Sequence, residues 1–165
     1  MARIPFREAI FAALHARLQA AFPEMTMARE IVRNPTTEVA SDDFLPLLRC
    51  FDGPHTSGDA PAVGEASYRL SWTVEGYVEI DNAEARDTLD AAMNALHARV
   101  IEAMMPSEEA IQVPLATQTL EIWPFDAAFD LDRLGVASSE KRTIRFSQEF
   151  VFEVWTTRGQ AFVEI

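Results

Sequence analysis

The residues that could carry acid–base or metal chemistry are scattered along this chain rather than grouped. Its three histidines, His15, His55 and His97, stand far apart, and no two lie within the few residues that separate paired metal ligands. His15 and His97 fall in segments with helical periodicity, where solvent-facing or partly buried histidines are common. The histidines therefore predict no metal site.

Acidic residues are abundant but match no known catalytic pattern. Asp126, Asp130 and Asp132 resemble a calcium-binding loop only faintly, because the turn glycine and the distal bidentate glutamate are missing. The chain has six glycines and neither a phosphate-binding loop nor a nucleophile elbow. Two carboxylates could still act together as acid and base, since the distance between them is set by the fold and not by the sequence. We expect a protein that is not an enzyme and holds no cofactor.

The single cysteine and the net charge limit the class of protein. Cys50 excludes an internal disulfide framework, fits a reducing compartment, and stands in an apolar run typical of a buried thiol. The net charge of −12 argues against a nucleic-acid-binding surface, although an acidic wall lets DNA pass without sticking. The alternative interpretation is that the acidic balance only makes the protein soluble. We find neither a membrane-spanning run nor a secretory signal, and predict one domain over residues 1–165.

Two segments have the periodicity of amphipathic helices. Apolar residues recur every four positions in the first, which we predict to run from Pro5 to Phe22. The second begins at a cap formed by Asp81 or Asn82, carries an apolar stripe, and runs to about Met104, before Pro106.

Strands are predicted by alternation of apolar and polar residues. The two longest are Ser67–Ile80 and Arg142–Thr157. Shorter strands are predicted in the second half of 25–34 and over 44–51, 111–123 (stopped by Pro124) and 161–165. Residues 52–54 read as a turn, 55–64 as a loop, and 125–132 as either a short helix or an acidic loop. The loops between neighbouring strands favour antiparallel pairing, so we predict an α+β fold: a mostly antiparallel or mixed sheet with two main helices packed on one face.

The aromatic residues suggest a surface for assembly. Tyr77 and Trp155 have the opposite parity from their apolar neighbours, which puts them on the polar face of the sheet. Gly76 interrupts its strand, which suggests a bulge, a bend or a closely approaching backbone. Helices covering both faces, or a bend at Gly76 that resets the parity, would also account for the pattern. The functional interpretation is a face covered by another subunit, with Tyr77, Trp155, Gly76 and His55 as candidate interface residues.

The layout of these elements resembles the tail-terminator (tail-completion) proteins of long-tailed bacteriophages and of gene transfer agents. The resemblance covers nearly the whole chain and is carried by Ile10–Phe22, Ile31–Asn34, Trp72–Val78 and Asp90–Val100. It implies a ring, commonly a hexamer, at the head-proximal end of a tail tube. Such a ring ends tube polymerisation, contacts the tail tube protein and the head–tail connector protein, and lets DNA pass through its channel without specific binding. It also implies a protein that is cytoplasmic during assembly and then part of the particle.

Two other interpretations stay open at this point. The chain could be a different neck or tail component, such as a head-closure or tube protein, because these share a layout of sheet and helix. It could also be a small-ligand-binding α+β domain, which would require a cavity between sheet and helices with converging polar groups.

Overall fold

The computed structural model describes most of the chain. The described residues are 2–27, 30–37, 46–59, 62–81, 86–107, 109–132 and 141–164. Within them the fold is α+β, as predicted, with two helices and eight strands. In chain order these are β1 (Arg3–Pro5), α1 (Phe6–Ala21), β2 (Ile31–Arg33), β3 (Leu47–Gly58), β4 (Glu65–Asp81), α2 (Arg86–Met104), β5 (Ile111–Pro114), β6 (Thr119–Asp132), β7 (Lys141–Thr157) and β8 (Phe162–Glu164).

Six of the strands form one twisted layer in the order β2-β3-β4-β7-β6-β5. Its centre is the antiparallel β4–β7 pair, whose register runs without a shift from Glu65↔Thr157 to Asp81↔Lys141. The β2–β3 pair is parallel and the other pairs in the layer are antiparallel, so the sheet is mixed. The two remaining strands, β1 and β8, form an antiparallel ribbon of their own. The predicted strand 161–165 thus pairs with the start of the chain and not with the main sheet.

The core lies between one face of this sheet and the two helices. Even-numbered residues of β4 and β7 point into it, led by Trp72, Phe150 and Phe152, all fully buried. The stripes of α1 and α2 close the core from the other side, with Leu14 and Val100 fully buried. Both predicted helices are confirmed, and α2 ends at Met104 as expected. Of its two predicted caps, Asp81 is wrong, because it is the last residue of β4 and pairs with Lys141, and Asn82 lies outside the described residues.

Two predicted breaks turn out to be strand. The predicted turn at 52–54 and the loop from His55 are wrong, because β3 continues to Gly58 with an irregularity between Asp52 and His55. The predicted stop at Pro124 is also wrong, because β6 continues to Asp132 and settles 125–132 as strand. A proline is tolerated there because β5 pairs with β6 only as far as Ile122, so β6 has a single neighbour beyond it.

A buried amide fixes the second irregularity of the sheet, which lies in β6 between Asp126 and Ala128. Gln148 of β7 is fully buried, and its Nε2 donates to the carbonyl oxygens of Ala128 at 3.0 Å and of Glu149 at 2.9 Å. These two acceptors orient the amide, so its Oε1 accepts from Nε2 of His97 on α2 at 2.9 Å. The predicted helix histidine thus joins α2 to the sheet and is partly buried.

A charged cluster joins α1 to the first strands. The guanidinium of Arg33 donates to Glu8 on α1, at 2.7 Å and 2.9 Å, and to Asp52 on β3, at 2.6–3.2 Å. Asn34, whose φ is +49°, donates from its amide to Asp52 and accepts from the Asp52 backbone N–H, both at 2.9 Å. This cluster closes the outer edge of β3 near Asp52.

Neither helix in the described ranges is long and apolar enough to span a membrane.

Candidate interaction surface

The sheet has a second face, opposite the helices, which we call the open face. It carries the odd-numbered residues of β4 and β7, because successive side chains of a strand point to opposite faces. On β6 it carries Trp123 and Phe125, whose cross-strand partners are Glu153 and Val151. Both helices of the described chain contribute their buried side chains to the core on the other face.

The middle of the open face is polar and internally paired. Arg69 donates to Glu153 at 3.0 Å, and Ser71 donates to Glu149 at 2.6 Å. These pairs link β4 to β7 across the face. The Arg69–Glu153 ion pair is partly exposed, and such pairs contribute little stability, on the order of 0–1 kcal/mol.

An aromatic patch lies on this face over β6 and β7. Trp123 is 41% exposed, Phe125 51% and Trp155 52%. The indole N–H of Trp155 donates to Glu153 at 3.1 Å, which orients the ring. Scattered single apolar residues are normal on a surface, but three large half-exposed rings on adjacent strands of one face are typical of contact sites.

Tyr77 has the parity predicted for it but a different environment. It lies on the open face opposite Leu47 and Arg145, yet only 6% of it is exposed. Its hydroxyl donates to Glu75 at 2.8 Å. Burial, followed by the hydrogen bond to Glu75, raises the pKa of this phenol. Tyr77 is thus already covered within the subunit, and a contact with a partner stays a prediction.

Gly76 marks a close approach and neither a bulge nor a bend. It pairs with Leu48 on one side and Phe146 on the other, and neither register shifts there. A Cβ at this position would lie 2.9 Å from Cδ1 of Phe146 and nearer still to Cε1 and Cζ. The glycine therefore makes room for a buried ring on the core face, where it faces away from any partner on the open face.

His55 lies at the outer edge of β3. It pairs with Leu70 and is exposed, and its ring meets Tyr68 edge-on with 5.7 Å between centroids. Of the four predicted interface residues, Trp155 and His55 are therefore accessible. They are not brought together, because Trp155 is on the open face at β7 and His55 is two strands away.

No chemistry-bearing cluster emerges in the described ranges. No group of three or more His, Cys, Asp or Glu side chains there could hold a metal ion. Cys50 is fully buried on the core face, and this burial raises the pKa of its thiol. That environment disfavours the thiolate that any nucleophilic role would need.

A cleft of about 250 Å³ lies where the end of α1, β4 and α2 meet. Its apolar floor includes Val78 and Leu96, and its charged groups include Glu24 and Arg99. Arg99 donates to Glu24 and to the Ala21 carbonyl at 2.9 Å, and its guanidinium lies 4.2 Å from the Phe22 ring centroid. The hydrogen bond lowers the pKa of Glu24 and raises that of Arg99. Because these polar groups satisfy one another, the cleft does not favour a small-ligand site.

Sequence reasoning missed Trp123 and Phe125 as surface residues. The signal was present in the alternation of Leu120, Ile122 and Pro124 with Trp123 and Phe125. Pro124, however, predicts the end of a strand, and a strand that ends there leaves Phe125 outside the alternating pattern.

The chain was compared with protein families, curated proteins and solved structures. No protein-family model matches the chain, and no curated protein matches it. Among solved structures, one similar chain belongs to a "Virion of native gene transfer agent (GTA) particle". It is 16% identical, the match covers 92% of this chain and 96% of that one, and the TM-score is 0.46.

Proposed function

We propose that this protein is a structural component of a phage-like particle, namely a tail terminator. In this role copies of the chain form a ring, a hexamer, on the head-proximal end of the tail tube. The ring stops tube polymerisation and offers a surface to the head–tail connector protein. The specific role of tail terminator rests on the resemblance in layout to that family. In this role the residues of the chain supply contact surface and no chemistry.

The observation that carries the assembly part of the proposal is the aromatic patch on the open face. Three large rings between 41% and 52% exposed lie on two adjacent strands. Aromatic side chains contribute large contact areas and are enriched at protein interfaces. A face with this composition is suited to burial against another protein. We assign Trp155 to a subunit contact and His55, at the β3 edge, to a separate one.

The charge balance supports the role of a channel wall. The chain has a formal net charge of −12, and an acidic lumen repels the phosphate backbone, so DNA would slide through without adhering. We expect the purified protein to leave duplex DNA unshifted in a gel at low salt, where electrostatic binding is strongest. Tight, salt-dependent binding of DNA would contradict this part of the proposal.

The test combines oligomeric state with tube length. Purified protein is imaged by electron microscopy, alone and added to polymerising tail tubes of the same particle. We expect six-fold rings, and tubes that carry one ring at one end and stop growing. Protein that stays monomeric and leaves the tube-length distribution unchanged would refute the proposal. Rings stacked along the whole tube would instead identify a tube protein.

A matched variant separates surface contact from folding. Trp155→Ser removes an exposed ring from the open face, whereas Val63→Ser removes a fully exposed apolar side chain from the turn before β4. Both should fold like the unmodified protein. We expect Trp155→Ser to reduce ring formation and Val63→Ser to leave it unchanged.

A further inference from the structure

The second half of β6 has a single neighbour in the sheet. β5 pairs with β6 only as far as Ile122, and in the described ranges no other strand pairs with the outer side of β6 beyond that residue. The irregularity of β6 ends at Ala128, and from Ala128 to Asp132 the register with β7 is unbroken. We call the outer side of residues 128–132 the free edge. It is a regular stretch of strand, so a further strand could pair along it.

The alternation of hydrogen-bonded pairs decides which backbone groups β6 presents outward. Opposite residues of an antiparallel pair alternate between exchanging backbone hydrogen bonds and exchanging none. The N–H of Leu115 donates to the Gln118 carbonyl at 2.8 Å and closes the β5–β6 hairpin. Even-numbered residues from Gln118 to Asp126 therefore point their N–H and C=O groups away from β7. The N–H that Pro124 lacks would have pointed outward, so its absence removes no bond between β6 and β7.

The irregularity of β6 reverses this alternation along the free edge. β7 pairs with β4 without a shift, so the odd-numbered residues of β7 remain the ones bonded to β6. Beyond the irregularity these odd-numbered residues lie opposite even-numbered residues of β6. Phe129 and Leu131 therefore direct their backbone N–H and C=O groups outward. The free edge thus offers two donors and two acceptors in the spacing of a strand.

The two faces beside the free edge differ in character. On the helix side the ring of Phe129 is 47% exposed, with 4.4 Å between its centroid and that of His97 on α2, and Leu131 is half-buried. On the open face Asp130 is exposed. Successive side chains of a strand added here would point to the two faces in turn. One set would meet an aromatic ring, and the other set would lie beside a carboxylate.

The surroundings of the free edge are acidic. Residues 123–132 of β6 and the opposite residues 145–153 of β7 include five acidic residues and one basic residue, Arg145. The Arg145 guanidinium lies 3.9 Å from a carboxylate oxygen of Glu75 on β4, so it already faces a carboxylate. A basic segment therefore fits this edge better than a neutral or acidic one.

We propose that an extended segment of a partner protein, with apolar and basic residues in alternation, adds to the free edge as a further strand. Its backbone bonds to the outward N–H and C=O groups of Phe129 and Leu131, its apolar side chains pack on Phe129, and its basic side chains lie beside Asp130. The inference goes beyond the proposed function, because it depends on the geometry of β6 and not on a ring.

A second copy of this chain fits the free edge less well. Pairing two free edges would bring Asp130 of both copies to one junction, where like charges repel. The outer edge of β3 is partly occupied, because the Asp52 N–H is bound by Asn34 and the Gly53 carbonyl accepts from Arg7 at 2.6 Å. Backbone groups that are already bound cannot pair with another strand. The favoured occupant is therefore a segment of a different chain.

The test uses a capped nine-residue peptide of alternating valine and lysine, with amide hydrogen exchange measured residue by residue by NMR. In the protein alone, we expect the N–H groups of Phe129 and Leu131 to exchange freely and that of Asp130, bonded to β7, to be protected. The peptide should slow exchange at Phe129 and Leu131 by about tenfold or more and leave Asp130 unchanged. The same peptide methylated on every backbone nitrogen keeps its charge but has no backbone donors, and should give no protection.

Two pairs of variants separate the free edge from general attraction. Asp130→Lys and Asp59→Lys change the net charge equally and both positions are exposed, but only Asp130→Lys should weaken peptide binding, by about tenfold. Phe129→Ser and Phe162→Ser each remove a ring that is 47% or 48% exposed, and only Phe129→Ser should weaken binding, by about the same factor. Thermal melting checks the fold of each variant, and the aspartate pair suffices if Phe129→Ser does not fold.

Three results would overturn this inference while the proposed function stands. Protection of the Phe129 and Leu131 N–H groups in the protein alone would show that the edge is already covered. Equal binding of the methylated peptide would show attraction by charge without strand pairing. Equal weakening by Asp130→Lys and Asp59→Lys would show that the peptide does not bind at this edge. Conversely, protein that forms no rings and leaves tube length unchanged would refute the proposed function and leave this inference in place.

Discussion

Replacing Gly76 by alanine tests the packing at the centre of the sheet. The added Cβ would lie 2.9 Å from Cδ1 of Phe146 and closer to two further ring atoms. Carbon atoms separate by about 3.5–4.0 Å at their optimum, so the ring must retreat by roughly 1 Å or more. Phe146 is fully buried and its centroid lies 5.0 Å from that of His97, so it has little space to retreat into.

The size of the effect follows from two opposing terms. Overpacking a well-filled core costs about 1–3 kcal/mol. Alanine reduces the freedom of the unfolded chain, which returns about 0.4–1 kcal/mol where the backbone tolerates it. Because a rigid ring blocks the site, we expect Gly76→Ala to lower the free energy of unfolding by about 2 kcal/mol.

The measurement is urea unfolding at one fixed, low protein concentration, since assembly would otherwise add to the apparent stability. Gly64→Ala is the matched control. Gly64 has a φ of +90° and open space around its Cβ position, so alanine there should cost only about 1 kcal/mol of backbone strain. In Gly76→Ala combined with Phe146→Leu, the smaller side chain should relieve the clash, with a coupling energy of about 1–2 kcal/mol.

Three results would refute this reasoning. Gly76→Ala could change the stability by less than about 0.5 kcal/mol, which would mean that the ring moves freely. Gly64→Ala could cost as much as Gly76→Ala, which would point to backbone effects in place of packing. The double variant could be additive, which would show that Gly76 and Phe146 do not interact.

Three further outcomes are expected. Arg33→Met should lower the free energy of unfolding by about 2 kcal/mol in urea titrations, because it leaves the half-buried Asp52 without its cation, whereas Arg69→Met, on the open face, should stay within about 1 kcal/mol; equal effects would contradict the cluster's role. Burial raises the pKa of Asp52, but its hydrogen bonds, chiefly from Arg33, outweigh that and hold it below the ordinary 3.8, while the Arg33 hydrogen bond holds the pKa of Glu8 below 4.5. The two carboxylates therefore stabilise the fold fully at pH values above their ordinary pKa values, and this stabilisation is lost as the pH falls through their lower pKa values in the folded protein. The acid limb of a plot of stability against pH should therefore flatten in Arg33→Met and keep its slope in Arg69→Met. Cys50, whose pKa is raised by burial, should resist a thiol reagent at pH 8 in folded protein and react fully in denaturant; rapid reaction in the folded state would place the thiol at the surface.

The period of the apolar residues determined the helices and the longest strands. Every fourth residue from Phe6 to Leu18 is apolar, and alternation runs through 67–80 and 142–157, so each element had one possible buried face. These local patterns were enough for the α+β class and for the parity that puts Tyr77 and Trp155 on the polar face. These patterns depend only on residues close together in the chain, so they can be read directly from the sequence.

Other features depended on contacts between distant residues. Pro54 and Pro124 suggested breaks, but the neighbouring strands hold β3 and β6 in the sheet through irregularities, one anchored by Gln148 and His97. Gly76 suggested a bulge, a bend or a closely approaching backbone, and what approaches it is a side-chain ring seventy positions further along the chain.

Tertiary structure also divided the predicted interface. Parity placed Tyr77 and Trp155 on one face, yet Tyr77 is 6% exposed and Trp155 is 52% exposed. Exposure depends on which other segments cover a side chain, and the alternation within one strand carries no record of that. For the same reason the joining of Trp123 and Phe125 to Trp155 was decided by the pairing of β6 with β7, and only that pairing made a surface patch from three separate aromatic residues.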